Sequence, residues 1–412
     1  MRRGTLRTLM VTLVGLGLWL APVPAWSSDG LPDDLPTLMI ILLQDGCARL
    51  NPVSSSSLES VCSTTSGIPD ESGSAANSAG AMAATLDATM QARMKQRRTK
   101  ADASAFGLLG GDSADGLGGR LGVFAAYEFE RYDKDKSPYE SGYTADQHGG
   151  TVGIDYRFDT WLLGAAFTVS QQDGRYAQGG GDFSVASGGG TIYASFFPVP
   201  NLFIDVTASY AHKDYDFNRH AELFTGAALV ASGNHHGVST GNEYRFTLNS
   251  GYDFTFGRAV VGPRLGFNYQ YNTMNGYAEN DADAHSGFAG NVTGLELKYD
   301  DQQWDSATLN VGVYGSFAVS TPFGVLVPQA SATYVHEFLR GQRVVYFTFA
   351  QDASQTRFRF KTDRPDRDYV MVSAGLLWQA PHGITPFVNY RALAGYRNHA
   401  SHAVTGGVRF SF

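Results

Sequence analysis

Only two of the 412 residues are cysteine, enough for at most half of a four-thiolate zinc site and far from a disulfide-dense miniature. Charged residues make up 17% of the chain, with 31 Lys and Arg against 39 Asp and Glu, so no basic excess points to nucleic acid. Apolar runs of about 20 residues are missing, which excludes a bundle of membrane helices. A GxxxxGK[ST] phosphate loop is absent as well, leaving no nucleotide site. What is abundant is glycine (48), phenylalanine (26) and tyrosine (21). That excess goes with many strands and turns.

The N-terminus sets the compartment. Arg2, Arg3 and Arg7 precede an apolar stretch from Leu9 to Leu20, and Val23 and Ala25 occupy the small-residue positions of a signal-peptidase site. About a dozen apolar residues are too few to span a bilayer, so residues 1–25 read as a cleaved signal rather than an anchor. Its removal takes away three Arg and leaves 31 − 3 = 28 basic against 39 acidic side chains, a net charge of −11.

Residues 26–77 are rich in Ser, Pro and Asp and too polar to bury much of a core. They hold Cys47 and Cys62, which in an oxidising compartment are expected to form a disulfide. Residues 78–100 read as a helix, capped by Ser78, rich in Ala and basic at its end (Arg93, Lys95, Arg97, Arg98, Lys100). Its apolar content (Met82, Leu86, Met90, Met94) is too weak for lipid. A polar water-filled tube and a solvated linker both suit it.

Beyond about residue 118 the pattern has period two. In Glu243–Phe256 one face carries Tyr244, Phe246, Leu248, Tyr252, Phe254 and Phe256, and the other Glu243, Arg245, Asn249 and Asp253. Val261, Leu265, Phe267 and Tyr269 oppose Arg264, Asn268 and Gln270, and Val404, Val408, Phe410 and Phe412 oppose Thr405, Arg409 and Ser411. Runs of ten or more residues, with aromatics near their ends, favour membrane strands over a half-buried soluble sheet.

Twelve such runs are centred near Tyr127, Ile154, Ala165, Tyr193, Val206, Phe246, Leu265, Val313, Ala332, Val372, Val388 and Val408. Short connections (159–160, 198–200, 257–258, 320–324, 381–383) alternate with mostly long, polar ones (134–146, 175–181, 218–241, 274–303, 339–367, 398–399). The fold expected from the pattern is all-β, a 12-stranded antiparallel transmembrane barrel, preceded by the short N-terminal α-helix whose place, in the pore or as a solvated linker, the pattern leaves open.

Residues 110–135 (GGDSADGLGGRLGVFAAYEFERYDKD) and 149–174 (GGTVGIDYRFDTWLLGAAFTVSQQDG) resemble the opening strands of the autotransporter β-domain of type V secretion. The ending at 385–412 is similar to that family's last two strands. The resemblance covers roughly 105–412 and implies an outer-membrane translocator of a Gram-negative bacterium. It also implies a linker helix over 78–104 in the pore and residues 26–77 as a short passenger at the cell surface. Phe410 and Phe412 resemble the C-terminal signal read by the barrel-assembly machinery, which with periplasmic chaperones and outer-membrane lipid makes up the expected partners. A monomer is expected, without nucleic acid, catalysis or cofactor. The passenger region departs from the family in being only about fifty residues long.

A porin-like channel is the second reading and a rim-site hydrolase the third. Candidate pore-facing polar residues are Glu243, Arg245, Asp253, Arg264, Arg391 and Arg409, placed to bind the basic helix, to select ions, or simply to satisfy one another. Gly111-Asp112-Ser113 echoes an esterase nucleophile block, and His212, His220, His235, His236 and His285 fall near Asp214, Asp216 and Asp281 in proposed outer loops. His235-His236 is a weak metal candidate, since neighbours on a strand point opposite ways.

Overall fold

In the computed structural model, side chains sort by face along every long strand, and the sorting is inverted relative to a soluble protein. Ile192 and Phe256 are 66% and 67% exposed, whereas Arg409 and Thr207 are each 2% exposed. An exposed apolar belt around a buried polar interior is stable only with lipid outside. The structure describes residues 120–412 except 138, 200, 226–227, 282–295, 351–354 and 356. The signal region, Cys47, Cys62, residues 78–104, Gly111-Asp112-Ser113 and His285 lie outside the described residues.

Among the described residues twelve strands form one closed antiparallel barrel: β1 (Leu121–Lys134), β2 (Tyr143–Arg157), β3 (Trp161–Tyr176), β4 (Gly181–Val199), β5 (Leu202–Thr225), β6 (Ala228–Tyr252), β7 (Ala259–Met274), β8 (Gln302–Phe317), β9 (Gly324–Glu337), β10 (Asp368–Gln379), β11 (Ile384–Ala394) and β12 (His399–Ser411). Each pairs with its sequence neighbour, and β12 closes on β1 from Gly122↔Ser411 to Lys134↔His399. Every one of the twelve expected strand centres lies inside one of these strands. Most run 11–19 residues, more than the roughly 9–11 that a tilted strand needs to cross a bilayer.

One end of the barrel carries short turns, and their sequence explains their tightness. Asn201 turns β4 into β5 at φ 72°, and Gly257 does the same between β6 and β7 at φ 61°. Both residue types tolerate the left-handed region. Inside the wall, glycines seat aromatic rings from neighbouring strands: Phe124 lies over Gly153, Tyr193 over Gly164 and Phe183 over Gly174.

At the other end two expectations change. Residues 218–241 are not a loop: β5 and β6 run on as a hairpin that outreaches β4, whose pairing stops at Gly181↔Arg219, and β7, whose pairing stops at Gly241↔Met274. Its outward residues turn polar (Asp214, Asp216, His236) once clear of the apolar belt, so the hydropathy contrast fades while the backbone stays extended. The long connections 275–301 and 338–367 are not merely polar excursions either. Within them Tyr277–Ala278, Leu297–Tyr299, Val344–Phe349 and Phe358–Lys361 pair into a separate four-stranded sheet, called the cap below.

Candidate functional site: lumen and outer mouth

The inner wall is lined by charge pairs. Glu243 accepts from Lys213 Nζ at 2.5 Å and lies 3.3 Å from Arg245. Asp253 pairs with Arg264, whose guanidinium also packs 4.9 Å from the rings of Phe203 and Tyr314. Arg391 reaches Glu130 at 2.9 Å and Glu128 at 3.7 Å, while Ser401 and Thr405 donate to Glu130 and Glu128. Arg409 holds Asp155 at 2.8 Å, and Tyr193 donates to the same carboxylate. The six expected residues therefore fall into four separate clusters, each completed by partners from other strands.

Lys213, Glu128, Glu130 and Asp155 were not singled out from the sequence, although Glu128 and Glu130 alternate with Tyr127 and Phe129. The period-two rule would have placed them inward. Pairing matters energetically: a buried charge stripped of its partner costs ~3–5 kcal/mol.

Beside these pairs lies a cavity of about 1010 Å³ whose wall includes Arg245, Asn268, Asn310, Gln329, Ser373 and Arg391. It is bounded mainly by β6 to β11, mixes polar with apolar side chains, and reaches Lys134, Glu140, Arg340 and Asp363 toward the long-loop end.

Toward the long-loop end the inner wall changes character. Tyr132, Tyr143, Tyr176, Phe183, Tyr215 and Phe217, inward on β1 to β5, share one buried cluster with Tyr277, Leu297, Tyr299, Val345, Phe347, Phe349, Phe358 and Phe360 of the cap. Burying an apolar side chain stabilises by ~1.5–3 kcal/mol relative to leaving it exposed, so eight such cap residues favour the packed arrangement, offset in part by the entropy of ordering two connections.

Ionic contacts tie its rim. Arg219 on β5 grips Glu279 through two hydrogen bonds of 2.9 and 2.5 Å, and the same carboxylate accepts from the Leu297 backbone. Lys134 at the end of β1 bridges Glu140 at 2.5 Å and Asp363 at 2.9 Å. Burial pushes the Glu140 carboxyl above its ordinary range, with Lys134 pulling the other way. Opposite, the Arg343 guanidinium lies 4.7 Å from the Trp304 ring, and Asp366 engages Arg397 and Tyr396 in the β11–β12 loop.

The candidate rim histidines do not converge. His236 lies 3.2 Å from Asp216, His220 bonds Asn234 at 2.7 Å, and His212 contacts Asn242 at 3.2 Å. His235 points the other way and is buried. Among the described residues no group of three or more His, Cys, Asp or Glu is placed to hold a metal ion.

A family model described as the autotransporter beta-domain matches residues 123–391, well over half of the chain. The chain belongs to the autotransporter β-domain family. Among solved structures, the autotransporter barrel resembles the translocator domain of autotransporter NalP from Neisseria meningitidis, at 14% identity and a TM-score of 0.55, covering 79% of this chain and 98% of that one. It also resembles the beta domain of the Bordetella autotransporter BrkA, at 15% identity and a TM-score of 0.50, over 71% of this chain and 100% of that one. No curated protein sequence matches it. Autotransporter β-domains are translocator barrels of the Gram-negative outer membrane, and this chain carries that barrel fold.

Proposed function

We propose that the protein inserts into the outer membrane as a monomeric translocator barrel and carries its short N-terminal segment, residues 26–77, to the cell surface. The observation that supports this most is a closed barrel with an apolar exterior and a charge-paired interior, found in a chain of the autotransporter family. Folding of the barrel in lipid supplies the driving force for export. Residues 78–104 connect the segment to β1 as a helix through the lumen, and Cys47–Cys62 closes the segment as a disulfide.

Phe410 on β12 and Phe412 just beyond it, both exposed, form the terminal pattern offered to the barrel-assembly machinery, with periplasmic chaperones holding the chain beforehand. The barrel's own work is mechanical rather than catalytic.

The test is protease shaving of intact cells carrying a tag between Pro69 and Ser72. Loss of the tag from whole cells is the expected result. Cleavage only after the outer membrane is opened puts residues 26–77 in the periplasm and overturns display. The cavity of about 1010 Å³, with Arg245, Arg264 and Arg391 in its wall, favours a second reading, a porin-like channel, which ion conductance through the reconstituted protein distinguishes.

A further inference from the structure

We propose that residues 33–77, once at the cell surface, dock on the outer face of the cap through opposite charge. The inference rests on the display proposed above and names what the displayed segment touches. Three observations carry it.

The first is the sorting of the cap's side chains. Leu297, Tyr299, Phe358 and Phe360 are buried in the cluster shared with the barrel wall. By strand alternation Lys298 and Arg359 therefore stand on the opposite face. Arg357 and Lys361 continue that parity, and Lys298, Arg357 and Lys361 are exposed. Tyr346, the register partner of Arg359, shares the face, with the Arg357 guanidinium 3.9 Å from its ring centroid. Two acids adjoin these residues: Asp300 pairs with Arg357 at 2.5 Å, and Asp301 accepts from the Gly276 backbone. Four cations against two acids leave the face cationic, on a chain whose net charge is −8.

The second is the charge of the segment. Asp33, Asp34, Asp45, Glu59, Asp70 and Glu71 stand against Arg49 alone, so residues 33–77 carry 1 − 6 = −5. Residues 78–100 end in five cations, carry the opposite sign and do not compete for the face.

The third is reach. β1 starts beside the short β2–β3 turn, with Leu121 opposite Tyr156. A chain that crosses the lumen over residues 78–104, ~40 Å of helix, thus arrives with Asn77 at the outer mouth. The cavity reaches Glu140 and Arg340 beside the cap, which leaves a place for the chain to emerge. From there 45 residues of coil cover ~35–40 Å. A tethered partner is present at an effective concentration near millimolar, so exposed ion pairs too weak to hold a free peptide are enough to hold this one.

The test is zero-length carbodiimide crosslinking of intact cells bearing the full chain, read by mass spectrometry. The reagent joins a lysine amine to a carboxylate only where the two are in contact. Expected are peptides linking Lys298 or Lys361 to the acids of residues 33–77. Their yield should fall several-fold in about 1 M salt, which shortens the screening length to ~3 Å. It should fall likewise in the double variant Arg357→Gln, Arg359→Gln, whose folding is checked by heat-modifiable gel mobility.

Lys298 and Lys361 linked only to Asp300, Asp301 or another protein overturn the docking. So does a yield that neither salt nor the double variant changes. Links that form in neutral phosphatidylcholine vesicles but not in cells assign the face to anionic lipid instead, and overturn it too. Tag shaving separates the two readings: a shaved tag without these links leaves display standing and ends docking, whereas a protected tag ends both.

Discussion

Phe347 touches more of the cap's aromatic framework than its position in a loop suggests, with ring neighbours at Tyr299, Phe349, Phe358 and Phe360. Phe347→Ala is expected to cost ~3–5 kcal/mol of local stability through the cavity it leaves. Hydrogen exchange should show the loss across 338–367 while the barrel strands stay protected. Glu140 offers a different lever. Its carboxyl is held above the ordinary range, so its contribution to stability is complete at low pH and is lost as pH rises through the folded value. Melting temperatures of wild type should fall across that window, and Glu140→Gln should flatten the dependence.

At the scale of elements, the Arg219–Glu279 contact joins β5 to a connection sixty residues away. Each single truncation, Arg219→Met or Glu279→Leu, leaves a buried charge behind and is expected to destabilise by ~3–5 kcal/mol, while the double change costs far less than their sum. Chemical denaturation in lipid vesicles checks the cycle.

How much of each element could be read from the sequence follows from the contrast between its two faces. Glu243–Tyr252 alternates acid, base and amide with Tyr, Phe and Leu, and such a strand is legible directly. The outer parts of β5 and β6 lose that contrast because Asp214, Asp216 and His236 face water, so 218–241 looked like a loop. The cap left a fainter trace. Val344-Val345-Tyr346-Phe347-Thr348-Phe349 is an apolar run in a connection otherwise polar, but its pairing with Leu297–Tyr299 is non-local and no periodicity announces it. The lumen was half legible for the same reason. Arg409 and Glu243 obey the polar-inward rule, whereas Tyr132 and Tyr215 break it because the cap, not water, is their neighbour.

For the whole molecule, the apolar belt is what commits the chain to a membrane. Leu265, 54% exposed on the outer face of β7, is a fit position for a charge probe. Leu265→Arg is expected to cost ~2–4 kcal/mol if it lies near the bilayer midplane, and less toward the edges. An Asn310→Arg change on the opposite face should leave lipid insertion intact, a contrast that vesicle flotation and gel mobility measure.

The β1–β12 junction has a kinetic consequence. The strand pair that closes the barrel joins residues near opposite ends of the described chain, Lys134 with His399 and Gly122 with Ser411. Contacts so distant in sequence carry a high loop-closure cost and make closure a late, slow event. Until it happens, β1 and β12 are both free edges, ready to pair with the wrong chain. A chain shortened before His399 can never leave that state, and pulse-chase labelling should find it degraded or aggregated rather than matured into a smaller barrel.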